Sequence, residues 1–388
     1  MTPTTLRSVP TITRAGGALA SDRIVARPAA STAVAVVLAG SYLAADRSFS
    51  GSLPRPLLPV AQIPIIGYVL RWLRDAGIGR AVICSNHGSR AIRTCLGDAA
   101  GLSMDLDYTE DATPRGPAGC ARDAALNYGA ETFIVADATV IPDFDLASLL
   151  DAHRESGAAV TAVVHYASRG AAGASRVATP AGIYAFSRRA FDIVSERGFQ
   201  DIKEHLLPAL RNRRERIAAF TSPQFCPRVL DAETYLAVNH WVIERLPLNP
   251  SLVERWGPFS VSGEVAMHAT ASVHRAARIV GPAVLGANVV VGADALIVGP
   301  TSLGPGTRVG EQALVCRSVL WEGCQVGASS FVDASIVGDG IVVDPGTMLH
   351  GEVRMNRQRA SAPRWRLVPA MPRLQPAPAT SMADLAIP

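Results

Sequence analysis

Asp137 closes a short apolar run, residues 133–136, and Gly40 closes another, residues 33–39. Both runs are apolar at nearly every position, the pattern of a strand covered on both faces of a parallel sheet. Sheets of that kind bind ligands beyond the carboxyl ends of their strands, so Leu38, Ala39, Gly40 and Asp137 stand where a ligand would sit. A carboxylate at such an end can hold a hard cation beside phosphates. An Asp after a strand is equally a common turn former. Gly116, Ala118 and Gly119 open a third candidate segment, PRGPAGCARDAALNYG, where small residues suit a helix start that packs closely.

The elements that would carry these residues alternate. Residues 63–76 read as a helix with Ile66, Val69, Leu70 and Leu73 on one stripe and Gly77 as its stop. A strand at 80–85, a helix at 90–96 and a strand at 104–108 follow. A helix at 146–156 and strands at 158–166 and 181–187 come later. Residues 191–210 read as helical, and Asp231 as the N-cap of a helix beginning at Ala232. Strands alternating with helices imply right-handed crossovers and a mostly parallel sheet. The fold class is α/β.

With 388 residues and 48% hydrophobic content the chain can bury two cores. The net charge of +4 gives no support to nucleic-acid binding. No stretch reaches the roughly 18 apolar residues of a membrane span, and the first thirty residues lack the apolar core of a signal peptide. A cytoplasmic protein without a membrane partner is expected. The six cysteines form no CxxC pair, which argues against a zinc site or a disulfide framework. Of 37 basic residues only Lys203 is a lysine, and its helical surroundings mark it as a solvated charge.

From Val273 an apolar residue recurs every sixth position, at Ile279, Leu285, Val291, Ile297, Leu303, Val309 and Val315. After a shortened turn at SVLWEG the period resumes at Val326 and Val332, and again at Val337 and Val343. A period this regular signals stacked coils that bury one another's apolar residue. The expected organisation is a lead-in at 1–30, an α/β domain at 31–247, the repeat at 262–352 and a Pro- and Arg-rich tail at 355–388.

AVVLAG, followed after a fixed interval by PRPLLPV and then a helix ending in AGI, resembles the opening of the sugar-1-phosphate nucleotidyltransferases, or NDP-sugar pyrophosphorylases, whose loop lays on this chain without a gap. The later segments AGIYAFS and CPRVLDAETYLAVN resemble that family too, and the hexapeptide repeat resembles its appended left-handed parallel β-helix. The resemblance implies a Rossmann-like nucleotidyltransferase domain joined to a left-handed β-helix. It implies nucleotide contacts at Leu38, Ala39, Gly40, Gly116, Ala118 and Gly119, and Mg²⁺ on Asp137. It also puts Arg55 at the phosphate-binding lysine and His153 where the family tends to have histidine, here with a structural role.

Against the family pattern, Ser41 and Leu43 stand at two loop glycines, Ala45 at the loop arginine and Cys226 at a tryptophan. Arg228 takes the place of the second metal-binding aspartate, and the segment that would hold the sugar phosphate is missing after Tyr166. Each lost charge-stabilising group commonly costs about 3–4 kcal/mol of barrier. The expectation is therefore a catalytically impaired regulatory or assembly subunit of nucleotide-sugar metabolism. It would form a homo-oligomer, or a hetero-oligomer with an intact nucleotidyltransferase, through the β-helix. The alternative is an active pyrophosphorylase with a divergent site, in which Arg55, Arg47 and Asp137 handle the phosphates and metal. A hexapeptide-repeat acyltransferase using His268, His274 or His350 is the third reading.

Overall fold

A computed structural model describes residues 33–40, 49, 53–85, 89–97, 104–110, 113–167, 177–222, 224–246 and 258–356. Seven strands form one sheet: β1 (Val34–Leu38), β2 (Arg80–Ser85), β3 (Asp105–Glu110), β4 (Thr132–Asp137), β5 (Val160–Ala167), β6 (Val177–Ser187) and β7 (Ile217–Thr221). Their order is β3-β2-β1-β4-β6-β5-β7. The β3, β2, β1 and β4 neighbours are parallel, and β6 runs antiparallel to both β4 and β5. Because β1 lies inside this sheet, its sequence VAVVL is buried throughout.

Side chains alternate across β1 and feed two cores. Ala35, Val37 and Ala39 pack with Ile66, Val69, Leu70 and Leu73 of α1 (Ile65–Asp75) and Leu149 of α4 (Leu146–Ser156). Val34, Val36 and Leu38 pack with Ala118 and Ala121 of α3 (Gly116–Ala125) and Leu207 and Leu210 of α5 (Leu207–Asn212). Helices thus cover both faces; α2 (Ser89–Leu96) and α6 (Ala232–Arg245) complete the set. Each fully buried aliphatic side chain contributes about 1.5–3 kcal/mol relative to exposure.

Two expected boundaries are corrected. Ile63–Pro64 is a short strand paired antiparallel with Pro59–Val60, and α1 begins after it. Residues 191–210 do not form one helix. A 3-10 turn at Arg188–Ile193 is followed by non-helical chain, after which Asp201 accepts hydrogen bonds from the N–H groups of Lys203 and Glu204 and restarts the helix. Capping at an internal aspartate interrupts what an apolar stripe alone suggests.

The repeat folds as a parallel β-helix of three stacked sheets. Leu285, Val291, Ile297, Leu303, Val309 and Val315 lie inside it, none more than 3% exposed. Coils separated by 18 residues, such as Leu285 over Leu303, give way to coils separated by 17, such as Leu303 over Leu320. The missing residue is lost at one corner. Three residues, 299–301, separate Val298 from Ser302, whereas two, 317 and 318, separate the aligned Cys316 from Val319, and two, 334 and 335, separate Asp333 from Ile336; Arg317 and Ala334 turn that shorter corner at positive φ.

The β-helix also braces the loop that follows β1. Gln62 sends its side-chain amide to the carbonyls of Val284 and Leu303, at 3.2 and 2.7 Å. Leu58, Val60 and Tyr235 share a core with Val284, Val319, Trp321 and Ile336. Phe49 stacks on Trp321 with ring centroids 6.3 Å apart.

Candidate functional site

Asp137 ends β4 directly beside Leu38 at the end of β1. The Thr139 N–H and hydroxyl both donate to Asp137 Oδ1, at 2.8 and 2.6 Å. This closes the Asp-Ala-Thr sequence into an Asx turn. Asp137 Oδ2 accepts from Arg228 Nη2, and Arg228 Nε lies 3.4 Å from the Thr139 hydroxyl. The backbone holds Arg228 in place: Val140 and Arg228 are bridge partners, Ile141 N–H donates to Pro227 O at 2.9 Å, and Val229 N–H donates to Thr139 O at 3.0 Å.

Gly182 of β6 makes room for this pair. A Cβ there would lie 3.3 Å from the Asp137 Cβ and 3.7 Å from Arg228 Nη1, and its φ of +86° suits glycine. Tyr184, two residues along, has its hydroxyl pKa pushed up by burial, partly offset by the charge of Arg228. Thr139, Gly182 and Tyr184 were not among the candidates. The Asp-x-Thr spacing was a readable signal for the first, whereas the other two depend on strand pairing.

The second cluster of candidates lies at the start of α3, which packs against β1 through Ala118 and Leu38. The Ala118 and Gly119 N–H groups donate to Gln200 O at 2.9 and 3.4 Å, and Gln200 N–H returns a bond to Arg115 O at 2.7 Å. Gly116 has φ +74°, and a Cβ on it would meet Gln200 O at 2.6 Å. Arg115 ties the same loop down by donating to Ser195 O, Gly198 O and Asp123. The backbone donors of this helix start are therefore spent on the protein's own chain. The Ala39 N–H likewise donates to Cys84 O at 2.7 Å, and Gly40 is half-buried.

Arg55 is half-buried in a short turn, Arg55–Leu57. Its charge acts on Asp231, whose pKa is lowered mainly by hydrogen bonds from Thr234. Asp231 caps α6 in a capping box with Thr234, as its sequence position implied. Arg55 and Asp137 thus serve different partners. Arg47, Ser41, Leu43 and Ala45 lie outside the described residues. Cys226 is buried and Lys203 exposed. His153 is buried, with Nδ1 2.8 Å from the Thr161 hydroxyl and Nε2 3.1 Å from that of Ser187, a structural role.

The donor set around Asp137 does not fit Mg²⁺. Oδ1 is occupied by two donors from Thr139 and Oδ2 by a guanidinium, a positive group where a cation would have to approach. Among the described residues no three His, Cys, Asp or Glu side chains are arranged to hold a metal ion. His268 and His274 are engaged in local turns and His350 with Asp333. No described helix is long and apolar enough to cross a membrane.

Residues 34–174 match the family model described as nucleotidyl transferase. That span covers β1 through β5, including Asp137 and the start of α3. Over that span the chain resembles the nucleotidyl transferase family. It is 24% identical over 279 residues to a mannose-1-phosphate guanylyltransferase of Mycobacterium tuberculosis, covering 66% of this chain and 76% of that protein. It is 30% identical over 133 residues to the mannose-1-phosphate guanylyltransferase catalytic subunit beta of Drosophila pseudoobscura pseudoobscura, covering 34% of this chain and 36% of that one. Among solved structures it resembles HddC from Yersinia pseudotuberculosis, at a TM-score of 0.46 and 17% identity over 54% of this chain and 99% of that one. The chain thus spans about three quarters of the mycobacterial relative but only about a third of the insect one. In the present chain an arginine, Arg228, pairs with the aspartate at the end of β4.

Proposed function

We propose that this protein is a catalytically impaired nucleotidyltransferase-family subunit that regulates or assembles an enzyme of nucleotide-sugar metabolism. The observation that carries this reading is the Arg228–Asp137 ion pair, which neutralises the one carboxylate placed for metal and phosphate chemistry. A cation entering there would have to displace a guanidinium held by backbone on both sides.

Leu38, Ala39, Gly40, Gly116, Ala118 and Gly119 are proposed to line a residual site for a nucleotide or nucleotide sugar, in which Arg55 supplies positive charge. Assembly is proposed through the β-helix, as a homo-oligomer or with an intact nucleotidyltransferase, in the cytoplasm. The designation "catalytic subunit" in the name of the Drosophila relative supports an assembly of unlike subunits.

The test is pyrophosphate release from purified protein supplied with each nucleoside triphosphate, sugar 1-phosphates and Mg²⁺. No release above background is expected. Sustained release that vanishes in Asp137→Ala would overturn the proposal and restore the reading of an active pyrophosphorylase.

A further inference from the structure

A cleft of about 290 Å³ opens at the end of the sheet opposite Asp137. Thr132 begins β4 and pairs with Ser187 at the end of β6, and both line the cleft. Asp137 lies five residues further along β4, about 17 Å away at the usual rise per residue. The two places are distinct.

Three arginines line this cleft, Arg154, Arg188 and Arg189. The carboxylates that pair with two of them lie outside its lining: Asp151 for Arg154, at 2.8 Å, and Glu215 for Arg189, at 3.2 Å. Arg188 donates to the Tyr128 and Ala130 carbonyls, at 2.5 and 3.4 Å, and pairs with no carboxylate among the described residues. Glu131 is the one acidic side chain in the lining. Within the lining three arginines thus stand with one glutamate, while Asp151 and Glu215 balance two of them from outside it.

His153 lies in the same lining. Burial lowers its pKa, and the charge of Arg189 lowers it further. Arg189 also has a structural duty, since it donates at 2.6 Å to the Gly157 carbonyl just beyond α4. Arg154 has none of that kind: its side chain is 76% exposed and bonds only to Asp151 on its own helix.

We propose that this cleft binds a small phosphorylated anion, held by Arg154, Arg188 and Arg189 with the Ser187 hydroxyl at its floor. Guanidinium forks match phosphate oxygens in charge and geometry. A cleft of this size accommodates a diphosphate or a phosphorylated small molecule. Occupation would add a further tie between the end of α4 and the already paired start of β4 and end of β6.

The test is calorimetry of the full chain with inorganic pyrophosphate, and separately with inorganic phosphate, at fixed ionic strength. Saturable binding is expected, tighter for pyrophosphate. Arg154→Ala, which touches only the surface, is expected to weaken it at least tenfold, and Arg188→Lys to weaken it as well. Absence of binding overturns the assignment. So does binding that survives both substitutions, which would place the anion at the Gly40 end of the sheet. The nucleotidyltransfer assay is not involved, so this outcome is independent of whether the subunit is catalytic.

Discussion

Trp321 of the β-helix donates its indole N–H to the hydroxyl of Tyr235 on α6 at 2.9 Å, and that hydroxyl donates in turn to the Pro59 carbonyl at 2.5 Å. A three-part relay thus runs from the repeat, through a helix of the α/β domain, to the loop that bears Arg55. Both aromatic side chains are fully buried.

Replacing Trp321 by Phe removes the indole donor and leaves space around the ring. The expected cost is about 1–3 kcal/mol, read as a lower urea midpoint with an unchanged slope. A midpoint equal to that of the parent would show that the relay contributes nothing to stability.

Arg228 and Asp137 should behave as a coupled pair. Both are partly exposed, at 30% and 21%, so screening limits the interaction to about 1–2 kcal/mol. A double-mutant cycle of Arg228→Ala and Asp137→Ala should return a coupling of about that size. Arg228→Asp should in addition acquire Mn²⁺ binding, measurable by titration calorimetry, that the parent lacks. Mn²⁺ binding to the unaltered protein at Asp137 would contradict this account of the pair.

His153 predicts a pH dependence. Its folded pKa is lowered to about 4, first by burial and then by Arg189, against an ordinary value of 6.5. The unfolded chain takes up a proton between those values that the folded chain refuses. Its contribution is therefore complete above about pH 6.5 and is lost as pH falls towards about 4, with no more than about 2–3 kcal/mol at stake. Urea melts across that window should show the decline, and His153→Gln should flatten it. A variant with the same acid sensitivity as the parent would assign the effect to other groups.

Gly116→Ala should displace the loop at 195–200. The added Cβ would meet Gln200 O at 2.6 Å, and the residue would be held at φ +74°. A destabilisation of about 1–3 kcal/mol is expected, together with faster amide exchange at Ala118 and Gly119. Unchanged exchange at those amides would show that the loop has room to yield.

The legible parts of this fold were those set by short-range pattern. The inward stack of the β-helix was visible because every coil needs an apolar residue at Leu285, Val291, Ile297 and their successors. The strands of the sheet were visible because burial on both faces demands runs such as VAVVL. The position of Asp137 at a strand end followed from the same pattern.

What could not be read was set by contacts distant in sequence. Gln200 occupies the donors of Ala118 and Gly119 from more than 80 positions away, with nothing local to announce it. Arg228 was noticed as an inappropriate charge at a metal position, yet its bond to Asp137 depends on the ladder joining residues 139–141 to 227–229. The break between residues 193 and 202 was missed because Asp201 sits on the polar side of a plausible stripe.

The bonds from Gln62 to Val284 and Leu303 bear on how such proteins can be recombined. A catalytically competent signature loop grafted from a relative would arrive without a counterpart for those carbonyls, and a foreign C-terminal array would offer the wrong cradle. The two halves of this chain are not interchangeable cassettes, and any successful chimera will need its seam placed outside residues 59–62.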